Sequence, residues 1–178
     1  MDNGLEKIFN NLDYFAECAS NIELAQYNGV IRSEHIASLD GSEQRAYFCA
    51  VPKSNFSCMG EAVPLLFIYN LYDSEEWEKD DTPPADLDKT EWKNILTRIW
   101  IPEYFAISKD CANIDYEITK EEDFRKDWFP IVNKIVERAI LSPVQQIVRY
   151  GMIKAWNYYD YLIETETEYI NFQYWTTA

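Results

Sequence analysis

The sequence has few of the residues from which catalytic and phosphate-binding sites are built. Only five of the 178 residues are glycine, and none belongs to a G-x-G-x-x-G or G-x-x-x-x-G-K pattern, so no phosphate-binding loop is recognisable. His35 is the only histidine, which excludes a site that needs two imidazoles. The four cysteines show no C-x-x-C spacing. These shortages favour a binding protein over an enzyme and predict no cofactor.

Long apolar runs and a secretion signal are also missing. The longest apolar run, Ala62 to Tyr69, is interrupted by Pro64 and falls well short of the roughly 20 residues that a membrane-spanning helix needs. The N-terminus lacks the basic and apolar regions of a secretion signal. Because a chain of this length does not need disulfides, we predict reduced, mostly buried thiols. The sequence thus predicts a cytoplasmic protein that does not bind membranes.

Negative charge is what the sequence has in excess. The chain carries 31 acidic and 16 basic residues, a net charge of −15. Nine of the acids and only two lysines fall within residues 73–91, here called the acidic segment, whereas residues 92–154 sum to about neutral. A concentrated anionic surface attracts a cationic partner and repels nucleic acid. We therefore expect a basic protein partner and no direct nucleic-acid binding.

The acidic segment is the candidate binding site. Partner-binding patches combine steering charge with aromatic anchors, and Trp77 lies among the acids. Pro83 and Pro84 lack backbone donors and force extended geometry on their neighbours, which predicts an exposed loop. The alternative without a binding role is a solvated loop that only keeps the protein soluble. The predicted partner-binding residues are Asp73, Glu75, Glu76, Trp77, Glu78, Asp80, Asp81, Asp86, Asp88 and Glu91.

Two chemical alternatives remain open. A hydrolase could use His35 as a general base with Cys49 or Cys58 as nucleophile, although no spacing requires this arrangement. Asp86 and Asp88 are spaced like calcium ligands, but the chain lacks the glycine and the terminal Glu of a calcium-binding loop, so no metal site is predicted.

Hydrophobic periodicity predicts the elements of the N-terminal half. Apolar residues at three- and four-residue steps predict one amphipathic helix from about Gly4 to Ser20. Alternation on both sides of Asp40-Gly41 predicts an antiparallel hairpin over residues 30–51. The continuous apolar run from Leu65 to Tyr72 predicts a strand that is covered on both faces.

The C-terminal half is predicted to contain two long helices and a terminal strand. A capping box before Trp92 predicts a short helix that Pro102 ends, and residues 104–107 and 114–118 could each form a strand. The two long helices are predicted from Phe124 to Leu141, where Pro130 requires a kink or a start near Asp127, and from Ser142-Pro143 to Ile163. Alternation predicts the last strand near residues 168–175.

These elements predict a single α+β domain spanning residues 1–178. Because they do not repeat a βαβ rhythm, we expect a mainly antiparallel sheet with an N-terminal helix and two long C-terminal helices packed on it. The expected function is that of an immunity protein or antitoxin that neutralises a basic toxin such as a nuclease. The alternative is a nucleic-acid mimic that inhibits a restriction or CRISPR complex. The sequence does not indicate the oligomeric state.

Overall fold

The computed structural model describes residues 4–39, 42–73, 113–126, 128, 130–151 and 153–176. The predictions for the Asp40-Gly41 turn, the helix around Trp92 and the strand at 104–107 lie outside these residues. The chain divides into two compact units, of which the first is Met1–Asn28 with Cys58–Ile114 and the second is Gly29–Ser57 with Asp115–Ala178. The single domain over residues 1–178 stays a prediction.

The described part of the first unit is helical. Helices α1 (Leu5–Phe9) and α2 (Leu12–Ser20) replace the single N-terminal helix that the periodicity predicts. The break has a local cause, because the Asn11 side chain accepts a 3.0 Å hydrogen bond from the backbone N–H of Tyr14 and so caps α2. Most of the predicted apolar stripe is buried in the two helices.

The predicted strand at Leu65 to Tyr72 is wrong, because these residues belong to helix α3 (Met59–Asp73). Every residue from Ala62 to Ile68 is buried. A helix that is apolar around its whole circumference has no 3.6-residue periodicity, so its sequence resembles a doubly covered strand. Pro64 lies inside the helix and removes one backbone hydrogen bond, which burial of the apolar run offsets.

The second unit is built on a six-stranded antiparallel sheet. Its strands are β1 (Arg32–Leu39), β2 (Ser42–Pro52), β3 (Tyr116–Thr119), β4 (Val144–Tyr150), β5 (Tyr158–Thr165) and β6 (Glu168–Thr176). They are arranged in the order β1-β2-β6-β5-β4-β3, and every neighbouring pair is antiparallel. The predicted hairpin, the strand near 114–118 and the terminal strand are therefore confirmed.

Both faces of this sheet carry buried residues. On the first face, Phe48 lies opposite Phe172, which in turn lies opposite Tyr161. On the second face, Cys49 lies opposite Asn171, and all of these side chains are buried. Alternate residues of one strand point to opposite faces, so the apolar pattern of the central strands is nearly continuous.

Two helices cover the first face of the sheet. Helices α4 (Glu121–Lys126) and α5 (Pro130–Ala139) replace the predicted helix from Phe124 to Leu141. The prediction allows a kink at Pro130 or a start near Asp127, and the structure begins α5 at Pro130. Proline has no N–H to donate, so it is accommodated at the first position of α5. Phe124 and Val132 of these helices share one core cluster with the first face.

The second long C-terminal helix, predicted from Ser142-Pro143 to Ile163, is wrong. The structure places β4 and β5 there, joined by a turn in which Gly151 adopts a φ of 75°. The spacing of Val144, Ile147 and Val148 suits a helix, but Ile147 and Val148 are buried on opposite faces of the sheet. Their β-branched side chains favour a strand.

The chain is therefore α+β with a mainly antiparallel sheet, as predicted, but its helices precede the sheet's last three strands rather than ending the chain.

Candidate functional site

The acidic segment lies almost wholly outside the described residues. Asp73 is the last residue of α3, and Glu75 to Glu91 follow it beyond the described part of the chain. The charge of the whole sequence is nevertheless divided unequally between the two units. The first unit contains seventeen acidic and six basic residues, a net −11, while the second contains fourteen and ten, a net −4.

The hydrolase alternative gains no support from the position of His35. This residue is exposed on β1, opposite Tyr47 of β2, and its ring centroid lies 6.1 Å from that of Tyr47. Among the described residues, we find no hydrogen bond from His35 to a cysteine or a carboxylate. The neighbouring Glu34 pairs instead with Arg138 of α5.

Carboxylates and thiols do not gather into a metal site in the described residues. No group of three or more His, Cys, Asp or Glu side chains is placed there to hold an ion. Asp86 and Asp88, the pair with calcium-like spacing, lie outside the described residues.

A buried polar group occupies the second face of the sheet. The Tyr150 hydroxyl donates to Asn171 Oδ1, and Asp160 lies opposite Tyr150 in the β4–β5 register with only 6% of its surface exposed. Burial, together with the charge of Asp160, raises the pKa of Tyr150 well above its ordinary value near 10. Tyr150 is thus held as a neutral hydrogen-bond donor, which is a structural role.

A groove opens on the first face of the sheet, within the second unit. It has a volume of about 510 Å³ and is bordered by β3, α4 and the ends of β4, β5 and β6. We call it the aromatic groove because six aromatic side chains line it: Phe124, Trp128, Trp156, Tyr159, Tyr161 and Tyr174. This volume is within the range of sites that bind small molecules or peptide segments.

Trp128 is the centre of the groove's aromatic wall. Its ring meets those of Phe124, Tyr159 and Tyr174 edge to face, at centroid distances of 5.5, 5.7 and 5.3 Å. Such contacts add to the stability gained by burial and hold the rings in fixed orientations. Only 8% of Trp128 is exposed, and its Nε1–H has no hydrogen-bond partner among the described residues.

Charged residues of both signs complete the lining. Arg149 stacks over the Tyr159 ring, 4.9 Å from its centroid, and makes no ion pair with a described residue. Lys120 and the carboxylates of Glu117 and Asp123 lie at the exposed rim. Burial raises the pKa of Tyr174 above its ordinary value near 10. The groove lining therefore carries two acidic and two basic side chains, Glu117, Asp123, Lys120 and Arg149, whose formal charges cancel.

None of the groove residues is among the predicted binding residues. Trp156 and Tyr159 fall within the predicted helix that the structure replaces with a turn and β5, so the helix prediction conceals their convergence. The alternation of Tyr159, Tyr161 and Ile163, all on one face of β5, is the signal that indicates the site.

Comparison with other proteins identifies no relative. No protein-family model matches the chain, and neither the curated proteins nor the solved structures contain a match. In the described residues, no helix is both long and apolar enough to cross a membrane.

Proposed function

We propose that this chain is a cytoplasmic binding protein that inhibits a basic macromolecule, as an immunity protein or antitoxin does with a toxin such as a nuclease. A nuclease must present Lys and Arg to the phosphates of its substrate. A protein surface dense in carboxylates can occupy that cationic site and exclude nucleic acid from it.

The unequal division of charge is the observation that supports this proposal. The first unit has a net −11, and within it the acidic segment accounts for −7. Self-repulsion makes such a concentration unfavourable in the free protein, and a cationic partner would relieve it. The second unit, at −4, holds an ordinary mixture of charges, in which Arg32, Arg125 and Arg138 each pair with a carboxylate of the same unit.

In the proposed complex, carboxylates of the acidic segment speed the encounter, and Trp77 supplies buried contact area. Charge complementarity acts mainly on the association rate and on selectivity, whereas desolvated aromatic side chains contribute most of the affinity. The predicted contact residues are those named above between Asp73 and Glu91.

Affinity capture from a lysate of the native host, with the whole chain as bait, tests the proposal. We expect a basic protein to be retained, and we expect an equimolar amount of the chain to stop that protein's activity, for a nuclease its cleavage of plasmid DNA. Capture of a DNA-handling complex would instead support the nucleic-acid mimic. Retention of no basic protein would contradict the inhibitor.

Two triple variants then test whether the acidic segment is the contact surface. In the first, Glu75, Glu76 and Glu78 are changed to Gln, which should slow association several-fold and flatten its salt dependence. In the matched control, the exposed Glu122, Glu137 and Glu166 are changed to Gln, which removes the same charge from the second unit. Equal slowing in both variants would show that only total charge matters.

A further inference from the structure

We infer that two copies of this chain associate through strand β3, which pairs antiparallel with β3 of the second copy and joins the two sheets. Strand β3 lies at one edge of the six-stranded sheet. None of its residues belongs to the acidic segment, so this contact can be tested separately from the proposed inhibitor surface. Three properties of the edge support it: exposed apolar side chains, outward backbone groups and a register that suits self-pairing.

Exposed apolar side chains collect around β3. Ile118 is 54% exposed and Tyr116 is 38% exposed. Trp156, which borders the same groove as Ile118, is 64% exposed. Among the described residues, Leu141 is the one other large apolar side chain with comparable exposure. Single exposed apolar residues are ordinary, but a cluster of them marks a surface that contacts another protein.

The two edges of the sheet differ in how readily another strand can extend them. Strand β1 forms one edge, and its pairing with β2 shifts register between Ala37 and Leu39. Such an irregularity disrupts the ladder and hinders pairing with another chain. Strand β3 forms the other edge, contains no proline and pairs with β4 without a shift over its four residues. It is therefore the edge to which a second strand can be added.

The pairing of β3 with β4 determines which backbone groups face outward. The Asp115 carbonyl accepts a 2.8 Å hydrogen bond from the Gly151 N–H, in register with the β3–β4 pairing. Residues that bond to the neighbouring strand alternate with residues that do not, so Glu117 bonds to β4 and Ile118 directs its N–H and C=O to the outer edge. A second strand can therefore bond to Ile118 without displacing β4.

The sequence of β3 suits pairing with itself in one register. Because outward residues must face each other, Ile118 can lie opposite Ile118 of the second copy on a two-fold axis. Glu117 then lies opposite Thr119, and Tyr116 lies opposite the exposed Lys120, whose ammonium can stack on the phenol ring. Sliding one strand by two residues would place the two Glu117 side chains opposite each other, which is unfavourable. Sliding it the other way would place Ile118 opposite Lys120 and lose the apolar contact.

Analytical ultracentrifugation of the whole chain over a range of concentrations tests the association. Because β3 has only four residues, we expect a reversible dimer with a Kd of about 0.1 mM. The net charge of −15 on each copy opposes association, so the dimer should be tighter at high salt. A chain that stays monomeric up to about 1 mM would overturn the inference.

Two lysine variants locate the contact. Ile118→Lys removes the apolar contact and places two ammonium groups opposite each other, so it should weaken the dimer about tenfold while the protein stays folded. Leu141→Lys is the matched control, because it makes the same change at another exposed apolar residue of the second unit and should leave the dimer unchanged. Equal weakening in both variants, or no weakening in Ile118→Lys, would overturn the assignment to β3.

A cysteine at the same position tests the register. Opposed residues that exchange hydrogen bonds have Cα atoms about 5.5 Å apart, a separation that a disulfide can span. After oxidation, Ile118→Cys should therefore run as a covalent dimer in a denaturing gel without reductant, whereas Leu141→Cys and the unaltered protein should not. No covalent dimer of Ile118→Cys, or equal amounts of dimer in all three proteins, would overturn the register.

Discussion

The Tyr150 hydroxyl on β4 donates a 2.7 Å hydrogen bond to Asn171 Oδ1 on β6, across the intervening strand β5. Both side chains are buried on the second face of the sheet, where an unpaired polar atom would be costly. The bond connects strands that share no backbone hydrogen bonds. It therefore forms only when β4 and β6 each pair with β5 in the register that the structure shows.

Changing Tyr150 to Phe should lower the free energy of unfolding by about 1–3 kcal/mol, because Asn171 Oδ1 loses its donor in a buried site. Urea denaturation followed by circular dichroism measures this change. Tyr158→Phe is the control, since Tyr158 is half-buried and its loss of a hydroxyl should cost little. Equal losses in the two variants would contradict the role assigned to the hydrogen bond.

Alkaline pH should destabilise the protein partly through Tyr150. Its pKa is raised by burial and by Asp160, so above pH 10 the folded protein retains a proton that the unfolded chain releases. The resulting stability is fully present below pH 10 and is lost as the pH rises through the folded pKa. We expect the free energy of unfolding, obtained from urea titrations between pH 8 and pH 11, to fall more steeply for the unaltered protein than for Tyr150→Phe, by up to about 1.4 kcal/mol per pH unit. Parallel slopes would refute this.

Arg32 joins three elements of the second unit. It donates to the Glu168 carboxylate of β6 at 2.7 Å and to the carbonyls of Arg138 and Ala139, at 2.7 and 2.8 Å, at the end of α5. Arg32→Ala should therefore reduce stability by about 2 kcal/mol, and Arg32→Lys should recover only part of it, because an ammonium cannot form the planar fork.

The control for this position is Arg125→Gln. Arg125 pairs with Glu121 on the exposed surface of α4, where a pair four residues apart contributes about 0.5 kcal/mol or less. Thermal unfolding distinguishes the two positions, and comparable shifts in melting temperature would argue against Arg32 as a cap for α5.

Substitution of Gly29 should be unfavourable because of its backbone conformation and not because a side chain would meet neighbouring atoms. Its φ is 76°, and an added Cβ would meet no atom within 4 Å. Gly29→Ala should cost about 1 kcal/mol, whereas Gly29→Asn should cost less, since asparagine tolerates the left-handed region better. Denaturation midpoints in urea test this order, and a neutral Gly29→Ala would show that the turn adopts another conformation.

Periodicity predicts helix α2 well because that helix is buried on one side only. Its buried residues Phe15, Ala16 and Ala19 keep the helical spacing. Periodicity is misleading for α3, β4 and β5, which carry buried residues on both sides. There the apolar pattern is continuous and no longer distinguishes the helix period from the strand period. The preference of individual residue types for strands predicts β4 better, because its valine and isoleucine residues are β-branched.

The aromatic groove could not be predicted from the sequence, for a different reason. Its lining comes from several strands, a helix and the turn after Gly151, so the groove exists only once the order of strands is known. Composition indicates an excess of aromatic residues, but it does not show that Trp128 and Tyr174 meet. The acidic segment, in contrast, is contiguous and is evident from the sequence alone.

The place of β6 between β2 and β5 sets a constraint on how the sheet assembles. Phe48 and Phe172 face each other although they are 124 positions apart in the chain. During synthesis the β1–β2 hairpin is made long before β6. Until β6 has been translated, the backbone N–H and C=O groups on one edge of β2 are unpaired and can pair with another chain. Closing so long a loop is slow, so refolding should be limited by this pairing and sensitive to protein concentration.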